Sequence, residues 1–302
     1  MVVNMIEVQN LTKRYGAHCA VQNISFQVDE GEILGFLGPN GAGKTTTIRQ
    51  LMGFIAPQSG RCAIRGLDCR RDAATIQREL GYIPGEIAFI DEMTGQQFIR
   101  FLADYRGLKD LSRAKALMER FELNPKGKLK KMSKGMKQKV GIVCAFMHDP
   151  AVLILDEPTS GLDPLMQNRF VELILEERGR GKTILMSSHM FEEVERTCAR
   201  VGILRQGKLA AVDSVEHLRA AKRRRYAVTL RDEAEAAAFA AEPVEVESRN
   251  GAAVTVAVKE DLQGLIQAMA RHDVVGLDAV NQSLEEIFMH YYGESTDRRD
   301  EG

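Results

Sequence analysis

Gly38-Pro39-Asn40-Gly41-Ala42-Gly43-Lys44-Thr45-Thr46 follows a compact apolar run at residues 32–37 and precedes Ile48, Leu51 and Met52 at helical spacing. The stretch reads as strand, glycine-rich loop, helix. Gly38, Gly43, Lys44 and Thr45 satisfy G-x-x-x-x-G-K-[ST]. In that pattern successive backbone N–H groups wrap a β-phosphate at a helix N-terminus, and glycine lets the chain close on the anion. Lys44 provides a mobile cation for the β- and γ-phosphates, and the Thr45 hydroxyl can ligate Mg²⁺, offsetting the rest of the triphosphate charge. A plain glycine-rich turn has the same composition, but its place between strand and helix favours nucleotide binding by residues 38–46.

Further along, Ala151-Val152-Leu153-Ile154-Leu155-Asp156-Glu157 is a buried-strand run ending in two carboxylates. It sets Asp156 at a strand's C-terminal tip, where ligands of open α/β sheets gather. Asp156 is expected to hold the Mg²⁺ shell and Glu157 to polarise the attacking water. Taken alone, the pair also fits an acidic strand-end turn. Ser160-Gly161-Leu162-Asp163 forms a turn after it. His189 follows the apolar stretch at residues 183–187, where it can contact a γ-phosphate; a lone histidine equally fits a structural or surface role, so its assignment depends on the whole set.

The 302 residues suffice for about two domains. With 44% hydrophobic and 27% charged residues, disorder, collagen and small disulfide scaffolds are disfavoured. Forty-one Lys plus Arg against 42 Asp plus Glu leave a net charge of −1, so no global field draws in a polyanion and nucleic acid is not an expected partner. The longest apolar stretches fall well short of the roughly 18–20 residues that span a bilayer, and the N-terminus lacks a secretory pattern. Residence in the cytoplasm is the expectation. Cys19, Cys62, Cys69, Cys144 and Cys198 are scattered and odd in number, and read as reduced structural thiols.

Residues 6–8 and 24–28 alternate at period two, as an early antiparallel sheet would. From about residue 94 to 123 the pattern turns helical, with Phe98, Phe101, Leu102 and Tyr105 on one face and Leu117, Met118 and Phe121 on another. Lys222-Arg223-Arg224-Arg225 marks a composition shift. After it come a strand at 226–230, an Ala-rich helix at 232–241, a hairpin at 244–258 around Asn250-Gly251, a helix at 261–270, an extended segment at 274–280 and a helix at 283–292. That βαββαβα order suggests a small ferredoxin-like α+β accessory domain. The expected division is residues 1–221, with a helical subdomain at about 86–150, and residues 222–302.

The order of the residue 38–46 loop, residues 151–157, residues 160–163 and His189 resembles the ATP-binding cassette (ABC) ATPase family over about residues 5–220. The resemblance implies an α/β P-loop NTPase with a mixed sheet, an antiparallel β subdomain and a helical subdomain. It places Asp163 among the nucleotide-binding residues. The family carries an LSGGQ-type signature between its Walker motifs, and Met132-Ser133-Lys134-Gly135-Met136-Lys137-Gln138 stands there, departing at Lys134 and Met136 but keeping Ser133 and Gly135. A serine hydroxyl, a glycine and a helix N-terminus aimed at a γ-phosphate are what that signature needs. The lysines from Lys126 to Lys139 add cationic attraction there or form a solvated surface. Tyr15 matches the aromatic residue that stacks on adenine. The family's Gln-loop glutamine is missing, and Pro84-Gly85-Glu86 stands in its place; a carboxylate there changes the field around a γ-phosphate, which leaves the role of Glu86 open.

Pro84-Gly85-Glu86, the altered signature and residues 283–288 together resemble the drug-, antibiotic- and bacteriocin-export branch. The resemblance implies an ATP-hydrolysing subunit that pairs with a second nucleotide-binding domain, as a homodimer, so that each signature closes over the other copy's ATP. It also implies a separate membrane-spanning permease, at the cytoplasmic face of the membrane, for a drug, antibiotic, peptide or lipid-like substrate. The other class weighed is a soluble ABC ATPase acting on ribosomes or DNA. Against it, there is one P-loop, and only 112 positions separate Lys44 from Asp156, too few for a long coiled coil. A nucleotide switch that barely hydrolyses is disfavoured by Glu157.

Overall fold

The computed structural model describes residues 4–221, 224–258 and 262–280. In chain order its elements begin with β1 (Asn4–Tyr15), β2 (His18–Asp29), β3 (Ile33–Leu37), α1 (Lys44–Leu51), β4 (Ser59–Ile64), β5 (Leu67–Asp68), α2 (Ala73–Glu79) and β6 (Gly81–Ile83). Next come α3 (Gly95–Tyr105), α4 (Ser112–Arg120), α5 (Lys134–Phe146), β7 (Val152–Asp156), α6 (Pro164–Gly179), β8 (Thr183–Ser188), α7 (Phe191–Thr197), β9 (Arg200–Arg205), β10 (Lys208–Ser214) and α8 (Val215–Ala221). The last described are β11 (Arg224–Leu230), α9 (Glu233–Phe239), β12 (Glu245–Asn250), β13 (Ala253–Val258), α10 (Gln263–Met269) and β14 (Val274–Val280). The chain divides into two compact units, Met1–Val215 and Glu216–Gly302, so the division falls after β10 rather than at 222.

In the first unit, β1 pairs antiparallel with β2 and β4 in a four-stranded sheet ordered β2-β1-β4-β5. Its period-two apolar positions, Ile6, Val8, Ile24, Phe26 and Val28, are buried, as half-buried strands require. The second sheet is six-stranded, ordered β10-β9-β3-β8-β7-β6, parallel from β9 to β6 with β10 antiparallel at its edge. Its central strands β3 and β7 are buried at every position, which is why they read as continuous apolar runs without alternation. Ile48, Leu51, Leu34, Phe36, Ile154 and Leu185 share one core with the antiparallel sheet.

The helical segment holds α3, α4 and α5. The capping box that starts α3 has Thr94 accepting from the Gln97 amide while Gln97 bonds back to the Thr94 amide. The apolar face expected on this helix is not the covered one. Gly95, Ile99 and Ala103 are buried, whereas Phe101 and Tyr105 are 47% and 74% exposed. Periodicity locates an apolar stripe, but the small residues Gly95 and Ala103 are what permit close approach on the other side: a Cβ at Gly95 would sit 3.1 Å from the Met132 methyl and the Pro125 carbonyl.

The second unit is a four-stranded sheet ordered β12-β13-β11-β14, with every pairing antiparallel. With α9 and α10 this is a βαββαβ ferredoxin-like arrangement. Val228, Leu230, Val254 and Val256 pack with Phe239, Leu265 and Ala268 as its own core. The helix expected at 283–292 lies outside the described residues.

Candidate active site

The strands that form the site are neighbours in a fixed register. Leu37 at the end of β3 faces Ser188 of β8, and Ser187 of β8 faces Asp156 at the end of β7. The loops leaving β3, β7 and β8 therefore emerge side by side at the C-terminal edge of the parallel strands.

The loop after β3 curls through two left-handed glycines, Gly41 (φ 82°) and Gly43 (φ 106°), into α1. Gly43 caps α1, and a Cβ on it would meet the Ala20 carbonyl at 2.5 Å, so no other residue fits this backbone. Lys44 is only 5% exposed, and its ammonium donates to the Gly38 and Pro39 carbonyls at 2.5 and 3.3 Å. The first-turn amides of α1 have no intrahelical acceptor, and the helix dipole adds positive potential there. This is a preformed anion cradle. Thr45 and Thr46 follow in the first turn, both half-buried.

The two acids after β7 sit in different surroundings. Asp156 is wholly buried: Ser187 Oγ donates to its Oδ1 at 2.5 Å, while Oδ2 has no hydrogen-bond partner among the described residues. Oδ2 faces Gly85, where an added Cβ would stand 2.9 Å away. The Asp156 charge and, more strongly, burial push the Tyr82 phenol up to about 12. Glu157 lies in the left-handed region at φ 49°, which costs a side-chain-bearing residue about 1–2 kcal/mol. Its amide donates to Ser187 Oγ at 3.0 Å and to the Ser187 carbonyl at 3.2 Å. Its carboxylate reaches Lys44 Nζ at 3.2 Å through Oε1 and His189 Nδ1 at 2.6 Å through Oε2. An ionised carboxylate only accepts, so Nδ1 carries the proton, and Nε2 of the 54%-exposed ring is left for a ligand.

A buried, unpartnered carboxylate oxygen beside a nucleotide cradle fits a divalent cation. Among the described residues no group of three His, Cys, Asp or Glu side chains is arranged for a metal. A cation at Asp156 and Thr45 would therefore draw its other ligands from phosphate and water, the habit of Mg²⁺, and would neutralise triphosphate charge.

Ser133 caps α5, accepting from the Met136 amide at 3.2 Å and keeping its hydroxyl proton to donate. Gly135 packs on the 160–163 turn, where a Cβ would meet the Gly161 carbonyl at 2.5 Å, and Lys134 Nζ donates to Ser160 Oγ at 2.7 Å. The Asp163 carboxylate is engaged as the cap of α6, accepting from the Met166 amide at 3.0 Å. Tyr15 is half exposed, with Lys13 Nζ 5.4 Å from its ring centroid, and Glu86 is exposed. Lys128 and Lys130 both pair with Glu92, so this part of the lysine run is charge-compensated surface. Sequence reasoning missed Ser187 and also Gln138, whose buried amide donates to the Pro158 carbonyl at 2.6 Å and ties α5 to the turn after Glu157. It missed Glu193 as well: Ser188 Oγ donates to Glu193 Oε2 at 2.7 Å and accepts from the Met190 amide at 2.9 Å, shaping the loop that carries His189. Burial pushes the Glu193 carboxyl up, with the Glu157 charge adding to it. Only Ser187 carried a signal, a polar residue ending the apolar run at 184–186; Gln138 between two lysines and Glu193 beside Glu192 look like ordinary surface positions.

A glycine-rich cradle on a parallel strand, an Asp-Glu pair on the next strand but one and a separate antiparallel sheet define an ATP-binding cassette. The ABC transporter family profile matches residues 21–160. The linearmycin resistance ATP-binding protein LnrL of Bacillus subtilis is 37% identical over 213 residues, 69% of this chain and 68% of that protein. The bacitracin transport ATP-binding protein BcrA of Bacillus licheniformis is 33% identical over 97% of this chain and 98% of its own length. A solved ATP-binding subunit of an ABC transporter superposes with TM-score 0.67 at 35% identity, over 71% of this chain and 92% of that one. The chain belongs to the ABC transporter ATP-binding proteins, and its reaction is ATP hydrolysis.

Proposed function

We propose that the chain is the ATPase subunit of an exporter, driving a separate membrane-spanning permease for a drug, antibiotic, peptide or lipid-like substrate. In this reading Tyr15 stacks on adenine, residues 38–46 hold the phosphates, Thr45 and Asp156 hold Mg²⁺, Glu157 orients the attacking water and His189 contacts the γ-phosphate. Ser133 and Gly135 close over the ATP of a second copy, so binding draws two cassettes together and hydrolysis releases them. Export is supported by the names of the two relatives above.

The observation that carries the permease reading is a set of exposed apolar side chains on the first unit, with an aromatic cluster at the start of α3. Phe54, Ile90, Phe101 and Tyr105 are 47–74% exposed. Phe98 links Phe89 and Phe101 in a ring cluster, with centroids 4.8 and 6.4 Å apart. Exposed aromatic clusters of this kind mark protein contacts. No helix among the described residues is long and apolar enough to cross a membrane. The cassette would then work at the cytoplasmic face of the cell membrane through its permease. Tagged Glu157→Gln protein, purified from detergent-solubilised cells with Mg-ATP, is expected to bring down a polytopic membrane protein in stoichiometric amount. Recovery of ribosomes or DNA-processing proteins with no membrane protein would sink the exporter reading.

A further inference from the structure

We propose that Ser187 is a positioning residue for hydrolysis: one hydroxyl group sets both the free oxygen of Asp156 toward the metal and the backbone of Glu157 in its left-handed conformation. The proposal rests on the reading of Asp156 as the metal-holding acid and Glu157 as the water-orienting acid.

The argument starts from what one hydroxyl can do. It has one proton to donate and lone pairs to accept with. The proton goes to Asp156 Oδ1 at 2.5 Å, a charge-assisted bond within the usual range for O–H···O⁻. A lone pair takes the Glu157 amide at 3.0 Å. Consecutive acids on the strand end are thus aimed by the same atom. Ser187 itself has no freedom to drift, because it is fully buried and its strand is paired on both sides, opposite Phe36 of β3 and Asp156 of β7.

Two further observations give the arrangement a direction. Fixing Oδ1 leaves Oδ2 without a partner among the described residues, and Gly85 provides the side-chain-free space that Oδ2 faces. A structural serine would leave no buried anion half-satisfied; a ligand-orienting one does so because the second oxygen awaits a cation. On the other side, Glu157 holds φ 49° although it is not glycine, and its amide is held there by two hydrogen bonds to Ser187, the shorter to Oγ at 3.0 Å and the longer to the carbonyl at 3.2 Å. In that pose the carboxylate reaches both Lys44 and His189. Removing the hydroxyl frees the Asp156 carboxylate to rotate and leaves the Glu157 amide only its longer bond to the residue 187 carbonyl.

The test measures metal binding apart from turnover. Full-length protein is loaded with a non-hydrolysable ATP analogue and titrated with Mn²⁺ by electron paramagnetic resonance. Ser187→Ala is expected to weaken Mn²⁺ binding by about tenfold, the lower end for removing a partner of a metal ligand, and to leave affinity for the metal-free nucleotide unchanged. Hydrogen exchange at the Glu157 amide is expected to speed up in the same variant. Ser187→Thr, which keeps the hydroxyl, is expected to restore both. Ser187→Cys keeps the volume with a weak donor; should the alanine protein not fold, it is expected to show the same weakening. Wild-type metal affinity and amide exchange in folded Ser187→Ala or Ser187→Cys would overturn the proposal, as would equal losses in folded Ser187→Ala and Ser187→Thr. Asp156→Asn separates the two readings. If it too binds Mn²⁺ like wild type, the metal assignment of Asp156 has failed; if it loses Mn²⁺ while Ser187→Ala does not, only the role of Ser187 has failed.

Discussion

Two histidines that meet glutamate, His189 in the first unit and His272 in the second, are built in opposite ways. His189 touches Glu157 through Nδ1 alone and is 54% exposed. His272 is 11% exposed and has carboxylate oxygens at both ring nitrogens, Glu235 at 3.0 Å from Nδ1 and Glu242 at 3.3 Å from Nε2. Its ring also meets Phe239 edge-on at 5.5 Å. Arg271 bonds Glu242 alongside it, and Arg231 bonds the adjacent Asp273. One histidine keeps a nitrogen for an incoming molecule; the other joins the α9 end of its domain to the α10 end and keeps nothing. The same residue pair thus means chemistry where valence is left open and architecture where it is filled.

Substitutions can break that contrast. The largest effect is expected from Lys44→Ala, which removes the only cation in the cradle: ATP binding and hydrolysis should both fall to background by fluorescence-nucleotide titration and phosphate release. Glu157→Gln is expected to retain ATP binding and to slow single-turnover hydrolysis by about 10²–10⁴-fold, the range for losing a positioned acid–base group. His189→Ala should lower turnover by about 10²-fold, at the lower end of the same range. His272→Ala should leave turnover within twofold and instead lower the melting temperature of the second unit, because Glu235 and Glu242 lose the ring that joins them while keeping the Asp273 amide and Arg271 respectively. If His272→Ala lost ATPase activity as His189→Ala does, the distinction would collapse.

The smallest effect sharpens the contrast through pH. The Arg271 and His272 partners hold the Glu242 carboxyl below its usual range, and His272 with the Asp273 amide does the same for Glu235. A depressed carboxyl contributes stability that is present above its unfolded pKa and disappears as pH falls through its folded pKa. Melting of the second unit should therefore decline as pH drops below about 4.5, and the decline should be shallower in His272→Ala. An unchanged pH profile in that variant would remove the histidine from the network.

How much of this is legible in the sequence follows from distance along the chain. The cradle is local: nine consecutive residues specify the turn, the helix start and the cation, and the structure places them together. The strand ending in Asp156 and Glu157 is equally plain, because its apolar run stops at the acids. The ferredoxin-like order was readable from turn residues and alternation, although Asn250 ends β12 opposite Ala253 and the turn itself is Gly251-Ala252, one residue beyond the Asn-Gly signal. Ser187 was not readable, since its role arises from a pairing of β8 with β7 made across 31 positions. The covered side of α3 was hidden for a related reason: an apolar stripe does not say whether it meets its own core or a partner. Asp163 illustrates a third limit, in that the helix-capping bond from the Met166 amide to its carboxylate could not be told from the resemblance alone.

The register of β7 on β8 bears on how this protein can change over generations. Ser187 and Ser188 are adjacent and point to different partners, Asp156 and Glu193. A single-residue deletion inside β8 would exchange their faces and present the wrong neighbour to each acid, disabling the site while preserving composition and length almost unchanged.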